Sequence, residues 1–96
     1  MSRNTNGPRF RMGRPTITPV AEAALNAVGI HPLRLLARHI HGDWGELPAE
    51  DLAANELALT SGGRLLSNYA LQGDASIWII TEADRSSTTL LMPTDY

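Results

Sequence analysis

Ninety-six residues without a cysteine make one domain with no disulfide and no thiolate metal site. No apolar run approaches the roughly 20 residues of a membrane helix and no apolar leader opens the chain, so a soluble, cytoplasmic protein is expected. All eight basic residues are Arg; four (Arg3, Arg9, Arg11, Arg14) lie in the first 14 residues, which hold no acid, and residues 15–96 set four Arg against ten acids, a net −6. Such an acidic body is a poor nucleic-acid surface, because phosphate binding draws on Lys and Arg.

Residues 1–15 are rich in Arg, Asn, Gly and Pro and offer little to bury, so a disordered basic arm is expected there, followed by a single domain over 16–96. Thr16-Ile17 reads as extended. Thr18 suits an N-cap, Pro19 the first helical position and Glu22 the first turn. Ala21, Leu25 and Val28 then share one face, and Gly29 stops the helix. A second helix starts at Pro32. Its expected buried stripe is Leu33, Leu36, Ala37 and Ile40, with Arg34, Arg38 and His41 on the wet side and Gly42 as the end. Gly42-Asp43-Trp44-Gly45 is a turn carrying a large aromatic. The third helix is expected over 48–60, with Leu52, Ala53, Leu57 and Leu59 as its apolar members.

The period then changes to alternation. A first strand of the meander runs from Leu65 to Leu71, and Gln72-Gly73-Asp74-Ala75 closes a hairpin. Ser76–Glu82 is the most apolar strand and the expected centre of the sheet, with Trp78 in the core. Ser87–Met92 is the third, and Pro93 ends it. Helices followed by strands predict an α+β fold, two or three helices packed on a three-stranded antiparallel meander.

The densest chemistry lies in the last turn. Ala83 apart, every residue from Thr81 to Thr89 carries a hydrogen-bonding or charged side chain. Alternation puts Glu82 on the face of Trp78 and Ile80. With Arg85 beside it, Glu82 would suit a general base next to a phosphate clamp; Glu82, Asp84 and Arg85 equally suit a surface ion pair that closes a turn. His39, His41 and Asp43 suggest a metal or a His–carboxylate pair, but two residues apart on a helix the imidazoles diverge, so no metal site is expected. Trp44 reads as a staple beneath the sheet or as a stacking surface for a base. Arg64, Ser67, Tyr69 and Thr88 add polar groups along the strands. There is no Gly-rich phosphate loop, nucleophile elbow or zinc signature, and no cofactor is expected.

From His39 to Tyr96 the pattern resembles a group of small proteins of bacterial plasmids and phage-like islands. The residues that carry the resemblance are Gly42-Asp43-Trp44-Gly45, Asn55, Gly63-Arg64, Ser67, Tyr69, Ile77-Trp78, Ile80-Thr81-Glu82-Ala83-Asp84-Arg85-Ser86, Thr88, Pro93 and Tyr96. Members are labelled plasmid-related and sometimes type I restriction subunit M; a methyltransferase would need a cofactor-binding α/β domain that 96 residues without its motif cannot hold. The order of elements is also similar, as topology only, to the barnase, RelE and BrnT toxin superfamily. Those toxins tend to be basic, whereas this body is acidic.

Three functions follow as expectations. The first is a non-catalytic accessory protein of a mobile element that binds another protein, as an inhibitor or regulator, through Asp43, Trp44, Asn55, Ser67, Asp84, Ser86 and Thr88. The second is a metal-independent ribonuclease using His41, Arg64, Tyr69, Glu82 and Arg85. The third is a nucleic-acid-binding regulator. The partner is therefore expected to be a protein, or else RNA, and not a membrane.

Overall fold

The computed structural model describes residues 7–96. In chain order the elements are β1 (Arg14–Ile17), α1 (Pro19–Val28), α2 (Pro32–Ile40), α3 (Ala49–Ser61), β2 (Leu65–Ala70), β3 (Ser76–Thr81), β4 (Ser87–Leu91) and a 3₁₀ turn, Pro93–Asp95. The fold is α+β. The meander β2–β3–β4 is antiparallel as expected, but β1 joins it as a fourth strand, parallel to β4, in the order β1-β4-β3-β2. The sheet is therefore mixed. Gly13 makes the fourth strand possible: at φ 63° it brings the chain so close to β4 that a Cβ there would lie 2.4 Å from the Arg85 and Ser86 carbonyl oxygens. Pro15 is tolerated because β1 is an edge strand.

Local signals explain the helix ends. Thr18 Oγ1 accepts the Ala21 N–H at 3.1 Å, and Gly29 closes α1 in the left-handed region. His31 caps α2 through Nδ1, which accepts the Leu33 N–H at 3.1 Å. The buried faces differ from expectation. In α2 the stripe is Leu35, Leu36 and His39, while Leu33 is 62% exposed and Ala37 faces solvent. In α3 the buried residues are Asn55 and Ala58; Leu52, Ala53 and Leu57 point outward. Both shifts have one cause, a polar side chain that is buried because the fold satisfies it.

Alternation assigns Leu65, Ser67, Tyr69, Ile77, Ile79, Thr81, Thr88 and Leu90 to one sheet face. All three helices bury their residues against that face. Ala21, Leu25, Leu35 and Leu36 meet Tyr69, Ile77, Ile79 and Leu90, and Ala58 meets Leu65 and Trp44. Trp78, expected in this core, is instead half-buried on the opposite face, paired with Leu91 and Asn68.

The expected disordered arm over 1–15 is also revised. Residues 1–6 lie outside the described residues. Residues 7–13 are laid along the domain, and Arg14 and Pro15 belong to β1. The Arg9 N–H donates to the Ile40 carbonyl at 2.7 Å, its guanidinium grips Glu56 at 2.8 and 3.0 Å, and Phe10 stacks on Trp44 with ring centroids 6.1 Å apart. One aromatic and one bidentate Arg suffice to order a segment of otherwise weak composition.

Ile79 is fully buried at the centre of the helix-covered face. Truncation to Ala is expected to cost about 2–5 kcal/mol in urea denaturation, with the m-value unchanged. A loss below about 1 kcal/mol would place the core elsewhere.

Candidate functional site

The buried polar residues form one chain of hydrogen bonds. Thr88 Oγ1 donates to the Met12 carbonyl at 2.7 Å. Its single proton is thereby used, so in the 2.7 Å contact between Thr81 and Thr88 it is Thr81 that donates. Thr81 must then accept from His39 Nε2, 2.9 Å away. In the neutral ring that burial favours this leaves Nδ1 as an acceptor, and Ser67 Oγ donates to it at 2.6 Å. The imidazole is neutral and its tautomer is fixed. Burial pushes its pKa down to about 4. Ser67 and Thr88, expected to contact a partner, are buried members of this chain.

The Gly42–Gly45 turn is built from the same economy. Asp43 Oδ2 accepts Arg38 Nε at 2.7 Å, and its Oδ1 accepts the Gly45 N–H at 3.2 Å. The Arg38 hydrogen bond holds the Asp43 carboxyl below its ordinary range. The Tyr69 hydroxyl donates to the Asp43 carbonyl at 2.6 Å, and burial raises its pKa to about 12. Trp44 is the staple and not a stacking surface: it is 4% exposed, its Nε1–H donates to Glu56 at 3.0 Å, and its ring packs on Phe10 and His39. Arg9, and then Trp44, hold the Glu56 carboxyl low.

Asn55 works on the backbone of β2. Its Nδ2 donates to the Leu66 carbonyl at 2.7 Å, and its Oδ1 accepts the Leu66 N–H at 3.1 Å. The next outward-facing pair belongs to Asn68, which bonds the Trp44 carbonyl at 3.0 Å and the Glu46 N–H at 2.7 Å.

Arg85 stands at φ 61°, a left-handed backbone. Its guanidinium donates to the carbonyls of Gly63 (2.6 Å), Ala58 (3.0 Å), Glu82 (3.1 Å) and Ala83 (3.3 Å). It therefore caps the last turn of α3, where a cation is favoured, and does not engage the Glu82 carboxylate. In the same turn Asp84 Oδ1 accepts the Ser86 N–H at 2.9 Å, and the Ser86 side chain and amide keep the Asp84 carboxyl low; both residues are exposed.

The five ribonuclease candidates do not meet. Arg64 and Glu82 form a loose pair at 3.7 Å on the face away from the helices. Tyr69 lies five residues along β2, roughly 16 Å away at 3.3 Å per residue, and points to the other face. His41 ends α2, its Nδ1 on the Ala37 carbonyl at 2.6 Å. Arg85 is committed to carbonyls. Among the described residues no cluster of three or more His, Asp or Glu is placed to hold a metal, and no helix is long and apolar enough to cross a membrane.

One surface does collect partly exposed apolar and aromatic side chains. On the face that the helices leave open, register places Leu66, Ile80 and Thr89 in one row, and Asn68, Trp78 and Leu91 in the next. Tyr96, after the 3₁₀ turn, sets its ring against Trp78 with centroids 5.7 Å apart, and its hydroxyl accepts from Arg64 at 3.2 Å. Arg64, Leu65, Leu66, Trp78, Ile80 and Tyr96 enclose a hollow of about 300 Å³. Trp78 and Tyr96 were not among the expected site residues. The unbroken run Ile77–Ile80 was the available signal, because a strand apolar at every position has two faces to cover.

His39 sets a pH dependence. The folded chain keeps it neutral, so the unfolded chain binds the extra proton below pH 6.5. Its contribution is whole above pH 6.5 and falls away toward pH 4, by about 3 kcal/mol. Urea midpoints measured across that range should drop accordingly, and the His39 ring carbon shifts should stay flat from pH 7 to 5. A ring that titrates near pH 6.5 in the folded protein would refute the neutral assignment.

Compared with known proteins, the chain matches no family model, no curated protein and no solved structure.

Proposed function

We propose that this chain is a non-catalytic accessory protein of a mobile genetic element that binds another protein through the open face of its sheet. The observation that carries the reading is that face: half-buried Leu66 and Trp78, with the exposed Tyr96 ring against Trp78, lie over the buried Ile80 and Leu91 where none of α1–α3 packs, rimmed by Arg64, Glu82 and Thr89. An aromatic anchor inside an apolar patch with a polar rim is the anatomy of an interface hot spot. Tyr96, 72% exposed, extends the aromatic surface.

Charge selects the partner. Outside its first 14 residues the chain is at net −6, and Glu82 and Asp84 stand at one end of the open face. A basic protein surface with an apolar or aromatic anchor fits it, including one that otherwise holds nucleic acid. Residues 39–96 supply the likeness to small proteins of mobile elements that supports the biological setting. The scattering of His41, Arg64, Tyr69, Glu82 and Arg85 weighs against a nuclease.

The test is affinity capture from host extract on immobilised wild type and Trp78→Ser, with protein and RNA both identified in the eluates. Trp78 is half-buried and outside the main core, so the variant should keep its circular dichroism and melt within a few degrees of wild type. A protein held by wild type, released by salt and at least tenfold depleted on Trp78→Ser is expected. Equal retention by both would remove the reading. RNA cleavage by wild type that Glu82→Gln abolishes would replace it with the nuclease.

A further inference from the structure

A second surface, on the helix side of the sheet, carries positive charge in an otherwise acidic body. α2 places Arg34 and Arg38 one turn apart on its outward side, where two cations repel each other. Both line a groove of about 440 Å³ with Ile30, Leu35, Tyr69 and Leu71. Ligand sites begin at about 300 Å³ and are mostly apolar with a few placed polar groups, and this groove has that make-up.

The two guanidiniums are in different states. Arg38 is held: its Cζ lies 4.4 Å over the Tyr69 ring, and its Nε and Nη2 donate to Asp43 at 2.7 and 3.3 Å. Two of its five N–H groups are used, so Nη1 keeps both of its protons. One face of its plane rests on Tyr69, which leaves the other for a second ring. The Arg34 guanidinium has no hydrogen-bond or ion-pair partner among the described residues, although it borders the same groove. Asp43 neutralises one of the two charges, and the other is uncompensated at the mouth of an apolar slot.

We propose that the Arg34–Arg38 groove binds a small aromatic oxyanion, a carboxylate or phosphate carried on a ring. The oxyanion bridges the Arg34 fork and the free Nη1 of Arg38. The ring lies along Ile30 and Leu71 and stacks on the Arg38 plane. The site is on the other side of the sheet from the Trp78 face and does not depend on it.

The test uses phenyl phosphate, 3-phenylpropionate and inorganic phosphate, each titrated into the labelled full chain and followed by NMR at the Arg Nε–H groups and the Ile30 and Leu71 methyls. Phenyl phosphate or 3-phenylpropionate should shift these signals saturably, and the tighter of the two tells a phosphate from a carboxylate source. Inorganic phosphate should bind at least tenfold more weakly than the tighter aryl probe. Arg34→Gln, at an exposed side chain without partners among the described residues, should keep the fold and weaken that probe at least tenfold. Arg34→Lys should recover only part of the loss, because it restores charge without the fork. Trp78→Ser should bind as wild type does. No shift with either aryl probe, inorganic phosphate binding as tightly as they do, or Arg34→Gln binding like wild type would each overturn the site.

Discussion

A neutral imidazole in the middle of the domain is the constraint on which the other elements depend. His39 belongs to α2, yet its ring is bonded to Ser67 of β2 and to Thr81 of β3. Thr81 extends the chain to Thr88 of β4, and Thr88 extends it to the backbone at Met12, just ahead of β1. One helix, three strands and the incoming N-terminal segment are thus tied by four bonds whose proton directions follow from the last one and from the neutral imidazole. Such a network is unforgiving. A buried donor or acceptor left unpaired costs about 1–3 kcal/mol, so each link must be present for the others to be stable. The aromatic rings of Phe10 and Trp44 wall it in, each edge-on to the imidazole at 5.2 and 5.6 Å. Low dielectric there strengthens the bonds and keeps the ring uncharged.

The same economy governs the sheet's borders. The outward-facing backbone groups of β2 at Leu66 go to the Asn55 side chain, and those at Asn68 go to the Trp44–Glu46 segment. At the far side, β1 is only four residues long and contains Pro15, which offers no N–H. Short, covered or proline-bearing edges resist strand addition. The surface left for a partner is accordingly a face of the sheet and not its edge. This argues for side-chain docking around Trp78 and against recognition by β-augmentation.

Much of this architecture was legible in the sequence where a residue acts locally. Thr18-Pro19 at the start of α1, Gly29 at its end and the hairpin at Gly73 each depend on neighbours within a few positions, and each sits where the pattern put it. What failed to show depends on distant partners. At position 39 a polar residue shifted the apparent apolar stripe of α2 toward Leu33 and Ala37. Only Ser67 and Thr81, 28 and 42 residues away, make burial of that imidazole affordable. Asn55 misled the reading of α3 in the same way, since its reason for facing inward is the backbone of β2. β1 is four residues with a proline, too short for a period, and its pairing with β4 spans 73 positions. The candidate site was misjudged for a related reason: hydrogen-bonding residues in a tight cluster look alike whether they face a ligand or the fold.

The polar turn after β3 illustrates the point. Arg85 accepts a left-handed backbone, a cost of about 1–3 kcal/mol for a residue with a side chain, and compensates by donating to four carbonyls, Ala58 and Gly63 at the end of α3 and Glu82 and Ala83 in its own turn. Asp84 then braces Ser86, and Thr81 and Thr88 carry the buried chain across the strands on either side. The buried threonines and the Arg85 guanidinium are thus committed to the fold and not to a substrate. Capacity remains where the fold has not spent it: in the half-buried ring of Trp78 with Tyr96 on one side of the sheet, and on the other in the guanidinium of Arg34, which has no partner among the described residues. A side chain that folding does not need, held in place by neighbours that folding does need, is the physical form a binding site takes in a domain of this size.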